Sequence, residues 1–169
     1  MKQKLIILIT ILISFSGIAQ VEDVEQQGRI APNFKLEDIN GGIFELNEII
    51  GERIILISFN ASICKPCREQ VEAFSKIYDE FKEKGLTLIA IATDDVKTVA
   101  KVKPYIKSMG YDFTVLYDTE GGVSRLYYAQ LVPFSVLINQ EGLIIYSHMG
   151  YMRGDEIEFV KIINNLLTN

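Results

Sequence analysis

Ile54 to Phe59 is an apolar run interrupted only by Ser58 and bounded by polar residues, and Leu86 to Ala92, interrupted only by Thr87, is a second. Runs of that length predict central strands buried on both faces. Between them Cys67, Val71, Phe74, Tyr78 and Phe81 recur at steps of four and three. That spacing puts them on one face of a helix, which Gly85 ends. Phe34 to Leu36 and Ile43 to Leu46 flank Asn40-Gly41-Gly42 and predict a hairpin. Thr93-Asp94-Asp95 offers caps for a helix from about Val96 to Met109, with a kink or break at Pro104. Phe113 to Leu116 reads as a short strand and Ser124 to Tyr128 as a short helical piece. Phe134 to Ile138 and Leu143 to Ser147 read as strands joined by a turn at Asn139-Gln140-Glu141-Gly142. Ile157, Val160, Ile163, Leu166 and Leu167 mark a closing amphipathic helix. The order of elements predicts an α/β sheet with helices on both faces, parallel in its first half and carrying an antiparallel hairpin at one edge.

The first nineteen residues differ in kind. Lys2 and Lys4 precede an almost wholly apolar stretch from Leu5 to Phe15, and Gly17-Ile18-Ala19 supplies small residues before Gln20. That layout predicts a secretory signal peptide over residues 1–19, with an uncleaved N-terminal anchor as the rival reading. Residues 20–30 then form a polar, acidic leader, and residues 31–169 one domain. Hydrophobic content of 49% against 23% charged residues is enough for a real core, and a net charge of −5 is not basic enough to suggest nucleic acid or an anionic membrane surface as a partner. A monomer outside the cytoplasm is the expectation.

The chain holds two cysteines, Cys64 and Cys67, separated only by Lys65 and Pro66. A disulfide closing so small a ring removes little chain entropy, roughly 2 kcal/mol, so stability alone is a weak reason for the spacing. Zinc takes about four ligands, and the only further candidate is His148, so no metal site is expected. A copper- or heme-handling carrier built on Cys64, Cys67 and His148 is the non-enzymatic alternative. Redox exchange fits the placement better. The pair follows a buried strand and opens a helix, where backbone N–H groups favour a thiolate. Lys65 and Arg68 add positive charge, and Pro66 falls in the first helical turn, where its missing N–H is no loss. Cys67 lies on the inward stripe. Cys64, at the helix tip, is the expected nucleophile and Cys67 the resolving thiol.

At these residues the chain resembles the extracytoplasmic thioredoxin-like proteins of the TlpA and ResA kind, related to the redoxins. The resemblance rests on Ser58-Phe59-Asn60-Ala61-Ser62-Ile63-Cys64-Lys65-Pro66-Cys67-Arg68, on Leu131-Val132-Pro133-Phe134 and on Asn139-Gln140-Glu141-Gly142. It implies a thioredoxin-like fold and an exported thiol–disulfide oxidoreductase. Such an enzyme acts as a reductase of protein disulfides, needs no cofactor and draws on an electron donor in the membrane or envelope. It also implies that Val132-Pro133 is a cis loop against the disulfide, with Val132 offering its backbone to an incoming peptide. The family includes reductases of cytochrome c maturation, but three departures leave that substrate unassigned. Asn60 and Ile63 stand where aromatic residues are usual, Ser58 stands where thioredoxins carry a buried Asp, and Gln70 stands where a Glu is common. Ala31-Pro32-Asn33-Phe34 also resembles peroxiredoxin openings, which makes a thiol peroxidase a second enzymatic reading. Against it, Ala61 occupies the place of the usual activating Thr or Ser.

Overall fold

The computed structural model describes residues 27–168. The signal peptide and most of the leader expected from the sequence lie outside the described residues. Strands β1 (Lys35–Glu37) and β2 (Ile43–Glu45) form the expected small hairpin, with Leu36 opposite Phe44. Five further strands make one sheet: β3 (Ile54–Asn60), β4 (Leu86–Ala92), β5 (Thr114–Tyr117), β6 (Phe134–Ile138) and β7 (Ile144–Met149), in the order β5-β4-β3-β6-β7. The β3–β4 and β4–β5 pairs are parallel, whereas β3–β6 and β6–β7 are antiparallel. This is the mixed sheet of a thioredoxin-like fold.

Helices α1 (Lys65–Phe81) and α2 (Val102–Met109) are the crossovers of β3-α1-β4 and β4-α2-β5. The chain steps the same way across the sheet both times, so right-handed connections put both helices on one face. Helix α4 (Glu156–Thr168) joins them. Leu56, Leu88, Val115 and Leu137 meet Val71, Phe74, Phe81, Ile106, Phe159 and Ile163 there, with the Phe74 and Phe159 rings 4.9 Å apart. The alternate residues Ile55, Ile57, Phe59, Ile89, Ile91 and Val136 point to the other face. There they are covered by Ala31, Phe34, Leu46 and the short α3 (Gly122–Leu126) with Tyr127. To reach β6 from β5 the chain has to cross this second face, and α3 makes that crossing. Two opposed apolar layers explain why β3 and β4 read as nearly continuous apolar runs. The turn between β6 and β7 uses Gly142 at φ 77°, where a Cβ would also meet Ile50 Cγ2 at 3.1 Å.

The helix expected from Val96 begins later. Asp95 accepts the backbone N–H groups of Lys97 and Thr98, at 2.9 and 3.1 Å, and holds a turn. A 3-10 turn, Val99–Lys101, then leads into α2. Pro104 therefore lies in the first turn of α2, where the N–H it lacks would be unpaired anyway, and it introduces no break. Asp94 is not a helix cap at all. It is buried and turned toward the cysteine loop.

Candidate active site

Parallel β3 and β4 end side by side, with Asn60 opposite Ala92, and antiparallel β6 begins beside them, with Phe134 opposite Phe59. The segment before α1, the segment after β4 and the Leu131-Val132-Pro133 loop therefore share one end of the sheet. This is where a parallel α/β arrangement exposes loops for chemistry. Thr93 stitches the first two together: its N–H and its hydroxyl both donate to Asn60 O, at 2.8 and 3.2 Å.

Cys64 and Cys67 form a disulfide with Cα atoms 5.2 Å apart. Cys64 is the N-cap of α1, in extended conformation (φ −83°, ψ 113°), and its Sγ accepts the Cys67 N–H at 3.2 Å. Pro66 is the second residue of the helix, and no acidic residue occupies the first turn. Cys64 is partly exposed, whereas Cys67 is 1% exposed. The two cationic neighbours differ. Lys65 projects into solvent with 80% of its side chain exposed, 3.9 Å from Glu69. Arg68 donates from Nη1 to Ser62 O at 2.9 Å, so it braces the loop leading to Cys64.

One turn below Cys67, Gln70 is fully buried. Its Oε1 accepts the Ser58 hydroxyl at 2.9 Å, and its Nε2 donates to Gly150 O at 3.4 Å. Gly150 N in turn donates to Pro133 O at 2.8 Å. Two of the positions at which the sequence departs from the resembled family, Ser58 and Gln70, thus form one neutral hydrogen-bonded pair. It is tied through Gly150 to the Pro133 loop, where the Val132–Pro133 bond is cis. Tyr151, next to Gly150, donates to Glu156 Oε2 at 2.9 Å. Burial, reinforced by that carboxylate, pushes the Tyr151 hydroxyl up to about 12, so it stays protonated.

Across the sheet Ser58 lies opposite Ser135, and Ser135 opposite His148. Ser135 Oγ is buried and has no hydrogen-bond partner among the described residues. His148 Nε2 pairs with Asp155 Oδ2 at 3.1 Å. Among the described residues no group of three His, Cys, Asp or Glu side chains is placed to hold a metal, so His148 is not gathered with the two thiols.

The AhpC/TSA family model matches residues 27–147, which takes in the cysteine pair, the Pro133 loop and the whole sheet except the end of β7. The chain belongs to the AhpC/TSA family. Within reach of this family, the thiol–disulfide oxidoreductase ResA of Bacillus cereus is 30% identical over 144 residues, 85% of this chain and 82% of that protein. ResA of Bacillus subtilis is 33% identical over 126 residues, 75% of this chain and 69% of that one. Among solved structures, an uncharacterised thioredoxin-like protein from Porphyromonas gingivalis superposes with a TM-score of 0.71 at 30% identity, covering 84% of this chain and 94% of its own. A protein provisionally named thiol:disulfide interchange protein DsbE, from Chlorobium tepidum, gives 0.76 at 27%, covering 83% and 97%. A family member with these relatives and a Cys64–Cys67 pair between strand and helix is a thioredoxin-like thiol–disulfide oxidoreductase.

Sequence reasoning missed Asp94. An acidic residue two positions past the end of an apolar strand was the available signal. It reads equally well as a helix cap until β4 is known to lie against β3.

Proposed function

We propose that this protein is exported and reduces protein disulfides in the cell envelope, with Cys64 as nucleophile and Cys67 as resolving thiol. The observation that carries the reading is the asymmetry of the pair: Cys64 caps α1 and is partly exposed, while Cys67 is 1% exposed. In the reduced protein the Cys64 thiolate attacks one sulfur of a substrate disulfide, and the other sulfur leaves with the bonding electron pair. Cys67 then loses its proton and attacks Cys64 Sγ, which expels the substrate's first sulfur as a thiolate. The substrate ends as a dithiol, the protein as the Cys64–Cys67 disulfide, and an envelope electron donor must reduce it again. Val132, beside the site, is the backbone offered to the substrate chain.

The reducing direction is supported by how little holds the thiolate. Lys65 is exposed and close to Glu69, Arg68 is engaged by Ser62 O, and Cys64 Sγ accepts its hydrogen bond from the Cys67 N–H. A weakly stabilised thiolate keeps the dithiol a good electron donor. Export is supported by the charged, apolar, small-residue order of residues 1–19. The test is a Cys67→Ser variant expressed with its native N-terminus. Envelope proteins captured as mixed disulfides on Cys64 are the expected result. Capture of none, or steady peroxide consumption by the reduced wild type, overturns the reading in favour of a peroxidase.

A further inference from the structure

We propose that Asp94 is a positioning residue for Cys64, acting through Ser62; the inference rests on Cys64 being the nucleophile. Asp94 is 2% exposed and lies two residues past Ala92, the end of β4. Its Oδ2 accepts the Ser62 N–H at 2.9 Å, and its Oδ1 accepts the Ser62 hydroxyl. From the opposite side Arg68 Nη1 donates to Ser62 O. Every polar group of Ser62 is therefore held, two by a carboxylate and one by a guanidinium. Bonds to ionised partners of this kind are shorter and roughly twice as strong as neutral ones. Packing does not hold the segment instead, since Ile63, the next residue, is 65% exposed.

The consequence falls on the sulfur two residues later. The Cys64 N–H donates to Ala61 O at 3.1 Å, so Ala61 to Cys64 is one turn with Ser62 inside it. Fixing Ser62 fixes the direction from which the chain enters α1, and so keeps Cys64 in its cap conformation with Sγ over the Cys67 N–H. In the reduced protein that N–H and the helix terminus behind it stabilise the thiolate. A freed Ser62 lets Cys64 leave the cap, and the thiolate loses the stabilisation. The Ser62 hydroxyl is also committed to Asp94, so it is not directed at the Cys64 sulfur as an activating group.

Positioning and direct electrostatics predict opposite results. If Asp94 acted on Cys64 as a bare negative charge, removing it would favour the thiolate in both Asp94→Asn and Asp94→Ala. If it acts through Ser62, Asn restores function, because its amide oxygen accepts the Ser62 N–H and Ser62 Oγ can turn to accept the amide N–H. Ala cannot. The experiment is iodoacetamide alkylation of the reduced full-length protein at pH 7, mapped to each cysteine by mass spectrometry, with thiolate absorbance against pH as a second readout. We expect Asp94→Ala to slow Cys64 alkylation at least threefold and raise its titration midpoint, and Asp94→Asn to stay within twofold of wild type. Ser62→Ala, which keeps the backbone bond, should fall between them and also serves if Asp94→Ala does not fold. The proposal is overturned if the folded Ala variants react at the wild-type rate, or if Asn and Ala both react faster. Faster alkylation of Cys67 than Cys64 in the wild type would instead remove the role assignment beneath it.

Discussion

Gln70 offers a site where the burial of the redox centre can be tested by one atom. Gln70→Glu is nearly isosteric, and its environment is fully buried, with the Ser58 hydroxyl on one side and Gly150 O on the other. An ionised carboxylate would face a carbonyl oxygen with one hydroxyl as its donor, in a layer formed by Val71 and Phe74. Burial of this kind raises a Glu pKa by up to roughly 3–5 units from about 4.3. If the folded-state value passes 7, the protein at pH 7 carries a proton that the unfolded chain would have released about 2.7 units lower. At about 1.36 kcal/mol per unit, that is a loss of roughly 3–4 kcal/mol. The sign follows from the raised pKa. Below about pH 4 the acid is protonated in both states, donates to Gly150 O much as the amide does, and the variant matches wild type. The loss grows as pH rises from about 4 toward the folded-state value. Urea unfolding of the oxidised protein from pH 3.5 to 8 measures it. A variant as stable as wild type at pH 7, with no dependence on pH, would refute the claim that the pair beneath Cys67 sits in a closed, neutral site.

The other expectations concern the surroundings of the site. Lys65→Glu should raise the Cys64 pKa and make the dithiol a somewhat better reductant, by less than tenfold in the glutathione equilibrium, because Lys65 is 80% exposed; a larger shift would mean that its charge reaches the sulfur unscreened. Ser135→Ala removes a buried hydroxyl without a partner among the described residues and should leave stability unchanged or raise it by about 1 kcal/mol. A loss above about 1 kcal/mol in urea unfolding counts against that. Glu156 has its pKa lowered: burial opposes ionisation but is outweighed by its own N–H, the Gly154 N–H and the Tyr151 hydroxyl. Its contribution is therefore present above the unfolded value near 4.5 and lost as pH falls through the lower folded value, so Glu156→Gln should destabilise at pH 7 and converge on wild type as acid titrates the carboxylate. A gap of constant size across that range would assign the effect to packing.

Much of this was legible because local pattern and tertiary role agree. The apolar runs of β3 and β4 need two covered faces, and both layers are present. The stripe from Cys67 to Phe81 is the buried face of α1, although Ile77 rather than Tyr78 lies deepest at that turn. Cys64 and Cys67 could be placed at a strand-to-helix junction because sequence neighbours remain spatial neighbours there. What escaped depended on strand order. Asp94 meets Ser62 across 32 positions only because β4 lies against β3, and a capping motif is its stronger local reading. Ser58 and Gln70 were each visible as departures, but their hydrogen bond to one another was not. The delayed start of α2 comes from Asp95 turning the chain, a local competitor that helical periodicity does not register.

The central claim is that Cys64 exchanges with a substrate disulfide and Cys67 completes the exchange. It is tested most directly by mixing the reduced wild type with a peptide disulfide, quenching in acid at intervals and mapping the transient mixed disulfide by mass spectrometry. The account predicts peptide attached at Cys64 early, followed by loss of the peptide as the Cys64–Cys67 disulfide forms. Peptide accumulating on Cys67, or exchange no faster than that of a free thiol, would contradict it.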